Sequence, residues 1–295
     1  MTRPVVGVVG IGAMGLGVAL HLRDLGFEVH VRDVRPAQER LAANAGARVA
    51  PSPSDLAAAC DVVLTLVVDD AQTEAVLSGA DGVLAGLRAG AVVVAMSTLP
   101  PAYVDDLGQR LAARGVPFID APCSGGPARA RDGTMSLMVA APAEVRARGQ
   151  AVLDALSTRQ FVVGERPGDG ARTKIVNNLL AGANLVAGAE AMALGLQLGL
   201  DARTLFDVIQ ASSGASWVFG DRISRALADD REPRARLDIL RKDLAIAVAT
   251  AREAGVHAPM AEAASRGYET ASRAGYGDED DSALLRWYRE WNGSR

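Results

Sequence analysis

Cysteine and histidine are scarce in this chain of 295 residues, which contains two cysteines and three histidines. Cys60 and Cys123 are too few for the disulfide framework of a small secreted protein, and no CxxC-type spacing indicates a metal site. His21, His30 and His257 show no metal-binding spacing either. We therefore expect no bound metal and a reducing, cytoplasmic location.

An excess of positive charge and long apolar runs are also missing. The chain has 31 Lys and Arg against 35 Asp and Glu, a formal net charge of −4, which argues against general attraction to nucleic-acid phosphates. No uncharged run reaches the roughly 20 residues that span a bilayer. Glycines interrupt the apolar N-terminal segment, unlike a signal peptide. We expect neither nucleic acid nor a membrane as a partner.

What is present is a large apolar fraction, 49% hydrophobic against 22% charged residues, which is enough for a sizeable core. The first half alternates short β-branched runs with Ala- and Leu-rich stretches. This alternation predicts an α/β fold, a Rossmann-type doubly wound parallel sheet with helices on both faces. The predicted strands are Val5–Val9, Glu28–Arg32, Asp61–Val67, Val92–Ala95, Phe118–Asp120, Met135–Ala140 and Phe161–Val163. The predicted helices are Met14–Leu25, Pro36–Asn44, Ala71–Leu77 and Ala102–Arg114.

Strand-like sequence ends near Gly170. The proline-free stretch Ala171–Leu198 predicts one long helix of about 40 Å, at ~1.5 Å per residue, and its apolar composition predicts that it is largely buried. Four further helices are predicted, at Ala202–Ser212, Leu237–Ala254, Pro259–Ala274 and Asp281–Trp291. The sequence therefore predicts two domains, a Rossmann domain of residues 1–165 and an all-helical C-terminal domain of residues 166–295.

A glycine-rich turn follows the first predicted strand and precedes the first predicted helix. It reads Gly10-Ile11-Gly12-Ala13-Met14-Gly15. In such a turn the first glycine allows the tight bend, the second lets the backbone approach a pyrophosphate, and the third lets the helix pack closely on the strand. The helix N-terminus adds N–H groups and partial positive charge. We predict that residues 1–165 bind a dinucleotide, over the alternative of a chance glycine turn.

Asp33 ends the second predicted strand, where an acidic side chain accepts hydrogen bonds from the adenosine ribose. A carboxylate there repels the 2′-phosphate of NADP, so NAD is the expected cofactor and NADP the lesser alternative. Arg32 and Arg35 flank it and would soften that preference. The alternative interpretation is that Asp33 only caps the following turn.

Lys174, Asn177, Asn178 and Ala181 lie at i, i+3, i+4 and i+7, and so share one face of the long helix. Buried polar groups without partners are costly, so this cluster needs an explanation. A proton-transfer site is one, because desolvation lowers the pKa of a lysine from about 10.4 toward neutrality. A surface lysine with asparagines packed against loops is the other, and periodicity alone favours it.

Four motifs together resemble the β-hydroxyacid dehydrogenases, over nearly the whole chain. The first is the glycine turn with Met14, and the second is Asp120-Ala121-Pro122-Cys123-Ser124-Gly125-Gly126, continuing to Gly133-Thr134-Met135. The third is Gly168-Asp169-Gly170-Ala171-Arg172-Thr173-Lys174-Ile175-Val176-Asn177-Asn178, and the fourth is Lys242-Asp243-Leu244. Short matches in the C-terminal half, around Trp217 and Gly277, are most similar to the L-threonate dehydrogenases of that family.

This resemblance implies roles for residues that the patterns alone leave open. Lys174 would be the catalytic acid/base and Asn178 would orient the reacting oxygen. The substrate-binding residues would be Ser124, Gly125, Gly126 and Asn177, the first three holding a carboxylate. The cofactor-binding residues would be Gly10, Ile11, Gly12, Ala13, Met14, Gly15, Asp33, Val67, Val68, Ser97, Thr98 and Lys242.

The simpler interpretations of these segments stay open. Without the family, Ser124-Gly125-Gly126 is equally an ordinary turn and Lys242 a solvated helix charge. Trp217 is best interpreted as a core or interface aromatic, and the acidic run Asp278–Asp281 as a solvated cap before the last helix. Cys123, Val67-Val68, Ala95 and Ala140-Ala141 depart from the family's usual residues, but none of them removes a chemical group that the reaction needs.

The resemblance predicts an NAD-dependent dehydrogenase that oxidises a small hydroxy acid, L-threonate or a similar acid, to the 2-oxo acid. The alternatives within the family are oxidation of 3-hydroxyisobutyrate and reduction of tartronate semialdehyde. Outside this chemistry, one alternative is an imine reductase, against which Lys174 argues. The other is a non-catalytic NAD-binding module, against which the intact set of Lys174, Asn178, Ser124 and Lys242 argues. The family also implies a homodimer or homotetramer.

Overall fold

The computed structural model describes residues 3–293 and forms two compact units, Met1–Lys174 and Ile175–Arg295. The first unit contains one sheet of nine strands. The strands are β1 Val6–Val9, β2 Val29–Arg32, β3 Arg48–Val49, β4 Val62–Thr65, β5 Val92–Ala95, β6 Phe118–Asp120, β7 Cys123–Ser124, β8 Ser136–Ala140 and β9 Arg159–Gly164. The helices are α1 Ala13–Asp24, α2 Pro36–Asn44, α3 Pro53–Ala59, α4 Asp70–Ser78, α5 Val83–Gly86, α6 Pro101–Ala113, α7 Gly126–Asp132 and α8 Ala143–Leu156.

The strand order is β3-β2-β1-β4-β5-β6-β8-β7, with β9 paired to β8. The pairs from β3 through β6 are parallel, β8 runs antiparallel to β6 and β7, and β9 runs parallel to β8. The chain reverses its direction of winding between β1 and β4. In open sheets of this kind ligands bind beyond the carboxyl ends of the strands at such a reversal.

Valine-rich strands explain why helices cover both faces of this sheet. All four residues of β1, of β4 and of β5 are buried. Two apolar clusters pack against this sheet, one on each face. In β5, Val92 and Val94 belong to the first cluster and Val93 to the second, as the alternation of side chains along a strand requires. The first cluster includes Leu22 of α1, and the second includes Leu107 of α6. The predicted Rossmann-type sheet is confirmed.

The second unit is helical over its described residues. Helix α9, Asp169–Gln197, begins in the first unit and continues into the second. It is followed by α10 Ala202–Gln210, α11 Trp217–Leu227, α12 Leu237–Glu253, α13 Pro259–Ala271, a π-helical turn Ser272–Tyr276, a 3-10 turn Asp281–Ala283 and α14 Leu284–Gly293. By length and hydropathy α9 would suit a bilayer. Its buried residues Leu185 and Met192 instead belong to the core cluster of this unit.

Two sequence predictions in this unit are wrong in part. Helix α9 is not largely buried, because Val176 and Leu180 are 68% and 60% exposed. The acidic run before the last helix is not simply solvated, since Asp280 and Asp281 are each 2% exposed. Asp280 accepts a hydrogen bond from Arg225 at 3.0 Å, and Asp281 accepts one from Arg222. Desolvation raises the pKa of Asp281 to about 7 against the opposing charge of Arg222.

Several elements have no counterpart among the predicted ones. Helix α7 begins with Gly126-Pro127, which resembles a turn, and strand β7 has two residues. Helices α3, α8 and α11 were also missed, and Trp217, at the start of α11, is 61% exposed and is therefore not a core residue. Strand β7 and helices α3 and α7 are short, and packing against neighbours stabilises such elements more than local propensity does.

Candidate active site

The glycine turn lies between β1 and α1, as predicted. Gly10 has φ +87°, and a Cβ there would lie 2.7 Å from the carbonyl oxygen of Leu66, so neither the backbone nor the space admits a side chain. A Cβ on Gly15 would collide with the carbonyl oxygen of Gly10. Around Gly12 the nearest atom to such a Cβ is Arg35 Nη2, at 3.3 Å. The neighbour of Gly12 is therefore the end of a flexible side chain and not backbone, and helix α1 begins here without a side-chain cap.

Asp33 connects this turn to the end of β2. It is 8% exposed, and its Oδ2 accepts the backbone N–H of Ile11 at 2.8 Å. Its Oδ1 accepts the backbone N–H and the Nε–H of Arg35, at 2.9 and 3.1 Å. A carboxylate at this position, a helix N-terminus without a side-chain cap and a glycine bordered only by a flexible side chain fit a dinucleotide, whose ribose and pyrophosphate need these groups.

The other residues predicted to bind the cofactor follow neighbouring strands. Val67 and Val68 come after β4, and Ser97 and Thr98 come after β5, at the same edge of the sheet as the glycine turn. The Cγ1 of Val67 lies 2.9 Å from the position of a Cβ on Gly10. Ser97 is 8% exposed. The structure thus brings these four residues to the edge where the first unit would hold the dinucleotide.

The predicted carboxylate loop, Ser124-Gly125-Gly126, connects β7 to α7. Gly125 has φ +135° and Gly126 φ +75°, conformations that favour glycine. A Cβ on Gly126 would meet no atom within 4 Å. Ser124 is half-buried and pairs across the ladder with Ser136. The loop therefore presents backbone and a hydroxyl beside open space.

Lys174 lies in the first turns of α9. It is 6% exposed, so the interpretation as a surface lysine is wrong. The start of this helix is hydrogen-bonded to Asp120 at the end of β6, and the chain continues from β6 through β7 into the carboxylate loop. Burial raises the pKa of the Cys123 thiol in β7, and the charge of Lys174 opposes that rise.

In the second unit the remaining polar residues form one hydrogen-bonded group. Asn178 is 7% exposed and donates from Nδ2 to Asp243 Oδ2 at 2.6 Å. Asn177, which is exposed, donates to Asn178 Oδ1 at 3.0 Å. Lys242 Nζ lies 2.9 Å from Asp243 Oδ1. Asp243, itself 3% exposed, therefore holds both Asn178 and Lys242.

Sequence reasoning missed Asp243, although it stands inside the Lys242-Asp243-Leu244 motif. An acidic residue next to a lysine is usually a solvated pair, and its burial follows from tertiary packing. A further signal lies in composition, because Lys174 and Lys242 are the only lysines in the sequence. No group of three or more His, Cys, Asp or Glu within residues 3–293 is arranged to hold a metal ion.

Family models match almost the entire chain. Residues 5–164 match the NAD binding domain of 6-phosphogluconate dehydrogenase, and residues 168–288 match the NAD-binding model of NADP-dependent 3-hydroxyisobutyrate dehydrogenase.

Individual relatives agree with these models. The chain is 46% identical to L-threonate dehydrogenase of Cupriavidus necator over 95% of both chains. It is 38% identical to L-threonate dehydrogenase of Haemophilus influenzae, over 95% of this chain and 94% of the relative. A solved 3-hydroxyisobutyrate dehydrogenase from Salmonella typhimurium is 34% identical with a TM-score of 0.89, covering 96% of this chain and 99% of its own. The chain therefore belongs to the β-hydroxyacid dehydrogenase family and is an NAD-dependent oxidoreductase that acts on the CH–OH group of a hydroxy acid.

Proposed function

We propose that this dehydrogenase oxidises L-threonate, or a closely similar sugar acid, at C2, with Lys174 as the acid/base. The observation that carries the proposal is the burial of Lys174 in the first turns of α9, whose start is hydrogen-bonded to Asp120 in the segment that leads to Ser124-Gly125-Gly126. The names of the two relatives reported above support the choice of L-threonate. The 3-hydroxyisobutyrate dehydrogenase with the same fold supports 3-hydroxyisobutyrate as the second candidate substrate, with tartronate semialdehyde as a related one.

In this proposal each residue has a definite task. Lys174 Nζ, in its neutral form, accepts the proton of the substrate hydroxyl, and its ammonium form returns that proton in the reverse direction. Asn178, one turn further along α9, orients the same oxygen. Ser124 Oγ and the backbone N–H groups of Gly125 and Gly126 hold the substrate carboxylate, and positioning of this kind supplies much of the rate.

The cofactor would be held by the glycine turn, Asp33 and the residues after β4 and β5. When bound, NAD supplies the acceptor for the hydride. Lys242, fixed by Asp243, would lie toward its nicotinamide end. Asp33 supports NAD over NADP, and both flanking arginines are already paired with carboxylates, Arg35 with Asp33 and Arg32 with Glu39.

We further propose that the chain is a cytoplasmic homodimer or homotetramer. The free thiols Cys60 and Cys123 support a reducing compartment. Helix α9 supports assembly through its outer face, where Val176, Leu180 and Leu194 are each at least 60% exposed. The division into domains 1–165 and 166–295 is also a proposal, supported by the change from mixed to helical structure and by the break between the two family models.

The test measures NAD reduction by purified protein with L-threonate and 3-hydroxyisobutyrate, and NADH oxidation with tartronate semialdehyde and a cyclic imine. Turnover of L-threonate with the highest kcat/KM is expected. A higher kcat/KM for 3-hydroxyisobutyrate or the semialdehyde would make that compound the substrate in place of L-threonate. Activity on the imine alone would establish the imine reductase alternative, and NAD binding without any turnover would indicate a non-catalytic module.

A further inference from the structure

Asp120 is a buried carboxylate at the end of β6, with an exposed fraction of 2%. Its Oδ2 accepts the backbone N–H groups of Gly168 at 2.8 Å and Ala171 at 3.1 Å. These groups lie immediately before and within the first turn of α9, where the backbone N–H groups of a helix have no partners inside the helix. Asp120 therefore anchors the beginning of the helix that carries Lys174.

Two glycines make this close approach possible. A Cβ on Gly170 would lie 2.9 Å from both Cγ and Oδ2 of Asp120 and 2.7 Å from the carbonyl oxygen of Met138. Gly168 has φ +94°, a conformation that other residues rarely adopt. Any side chain at position 170 would push the helix away from the carboxylate.

Asp120 is also the residue from which the carboxylate loop extends. The chain runs from Asp120 through Cys123 to Ser124, and the charge of Lys174 affects the Cys123 thiol. The Asp120 side chain thus joins the end of β6, from which the chain continues to Ser124, to the first turn of the helix. Because Ala171 and Lys174 are three residues apart, a shift of that turn moves the amine with it.

We propose that Asp120 is a positioning residue, which sets Lys174 at the correct distance from the carboxylate loop. This inference rests on the proposed roles of Lys174 and of Ser124-Gly125-Gly126. In this proposal Asp120 acts through the hydrogen bonds that fix the helix, and not through contact with the reacting groups. Both of those bonds reach a single oxygen, so an amide at this position would keep them.

The test compares Asp120→Ala and Gly170→Ala, which break the anchor from either side, with Asp120→Asn, which keeps it. Asp169→Asn is the matched control, since Asp169 lies at the same helix start but pairs with the half-exposed Arg172. For each variant kcat and KM for the hydroxy acid, the Kd for NADH and hydrogen exchange of residues 168–178 are measured. The Kd for NADH reports on cofactor binding independently of turnover.

The two anchor-breaking variants are expected to lose about 100-fold in kcat, because a displacement of ~1 Å is enough for such a loss. Their Kd for NADH stays within about twofold and the first turn of α9 exchanges faster, while Asp120→Asn and Asp169→Asn keep kcat within about threefold. Should Asp120→Ala fail to fold, the comparison of kcat between Gly170→Ala and Asp120→Asn tests the positioning role.

An Asp120→Ala or Gly170→Ala enzyme with kcat near that of the wild type would overturn the inference alone. So would an Asp120→Asn enzyme as slow as Asp120→Ala. A wild-type protein inactive on every hydroxy acid would instead overturn the proposed function, and this inference with it, so the two failures are distinguishable.

Discussion

The choice between lysine and arginine is informative at the scale of single residues. The sequence has 31 basic residues, of which Lys174 and Lys242 are the only lysines. Arginine supplies a permanent charge and cannot release its proton in a protein, whereas lysine can. A chain that uses arginine nearly everywhere therefore has its two lysines at the proposed acid/base and at the position proposed to lie beside the nicotinamide.

Cofactor choice is tested at Asp33. Replacing Asp33 with Ser removes the charged acceptor beside Ile11 and releases the Arg35 guanidinium. We expect KM for NAD to rise about tenfold, from the loss of charge-assisted hydrogen bonds, and NADP to become the better cofactor. Steady-state kinetics with both cofactors measures this. An unchanged ratio of kcat/KM for the two cofactors would show that Asp33 only braces the glycine turn.

The ionisation of Asp120 gives a prediction for stability against pH. Desolvation raises its pKa to about 6, against the lowering effect of the N–H groups of Ala171, Gly168 and Gly170, and Asp169 raises it further. Between the unfolded value near 4 and this folded value the native state binds more protons, so the carboxyl stabilises the fold less as pH rises.

We therefore expect the free energy of unfolding of the wild type to fall relative to Asp120→Asn between pH 4 and 6, and the difference to be constant above about pH 7. Urea unfolding of both proteins at pH 5 and pH 7.5 measures it. A difference that is equal at both pH values, or that changes in the opposite direction, would contradict the account of this carboxylate.

At the scale of elements, a buried ion pair fixes the segment before α12. Arg225 of α11 is 7% exposed in its side chain and pairs with Asp280 at 3.0 Å, while its Nη2 donates to the carbonyl of Glu232 at 2.8 Å. Asp280 Oδ2 in turn accepts the backbone N–H of Arg234 at 2.9 Å. These bonds hold the segment before α12, the helix that carries Lys242, against the segment that precedes the 3-10 turn Asp281–Ala283.

Removing one partner of such a pair leaves a buried charge without compensation. Arg225→Ala is expected to lower the free energy of unfolding by about 3–5 kcal/mol. Arg231→Ala is the matched control, because Arg231 and Asp229 form a pair that is 62% and 74% exposed, and we expect a change below about 1 kcal/mol. Chemical denaturation measures both changes. Equal losses of unfolding free energy in the two variants would refute the stabilising role of the buried Arg225–Asp280 pair.

The elements also show how far the sequence can be interpreted. Strand β5 matches its prediction residue for residue, because burial on both faces demands a continuous β-branched run such as Val92–Ala95. Helix α7 was missed because Gly126-Pro127 has the pattern of a turn. Asp120 and Asp243 lie within the family motifs, but the sequence assigns them no role. Their burial depends on packing between segments far apart in the chain.

At the scale of the whole molecule, the exposed apolar face of α9 bears on assembly. Leu194 is 61% exposed on this helix, and Val256 is 58% exposed in the connection between α12 and α13. If α9 mediates the proposed oligomer, Leu194→Glu lowers the mass measured by analytical ultracentrifugation, and Val256→Glu leaves it unchanged. A wild type that sediments as a monomer would exclude the proposed assembly.

The similarity of the whole chain to its relatives establishes the family, while the proposed chemistry depends on the amine of Lys174 as acid/base. The measurement that tests it most directly is NAD reduction with L-threonate by the wild type and by Lys174→Arg, which keeps the charge but cannot accept the proton. The account predicts a loss of about 10²–10⁴ in kcat with the Kd for NADH unchanged. An arginine variant that turns over L-threonate as fast as the wild type would show that Lys174 is not the acid/base.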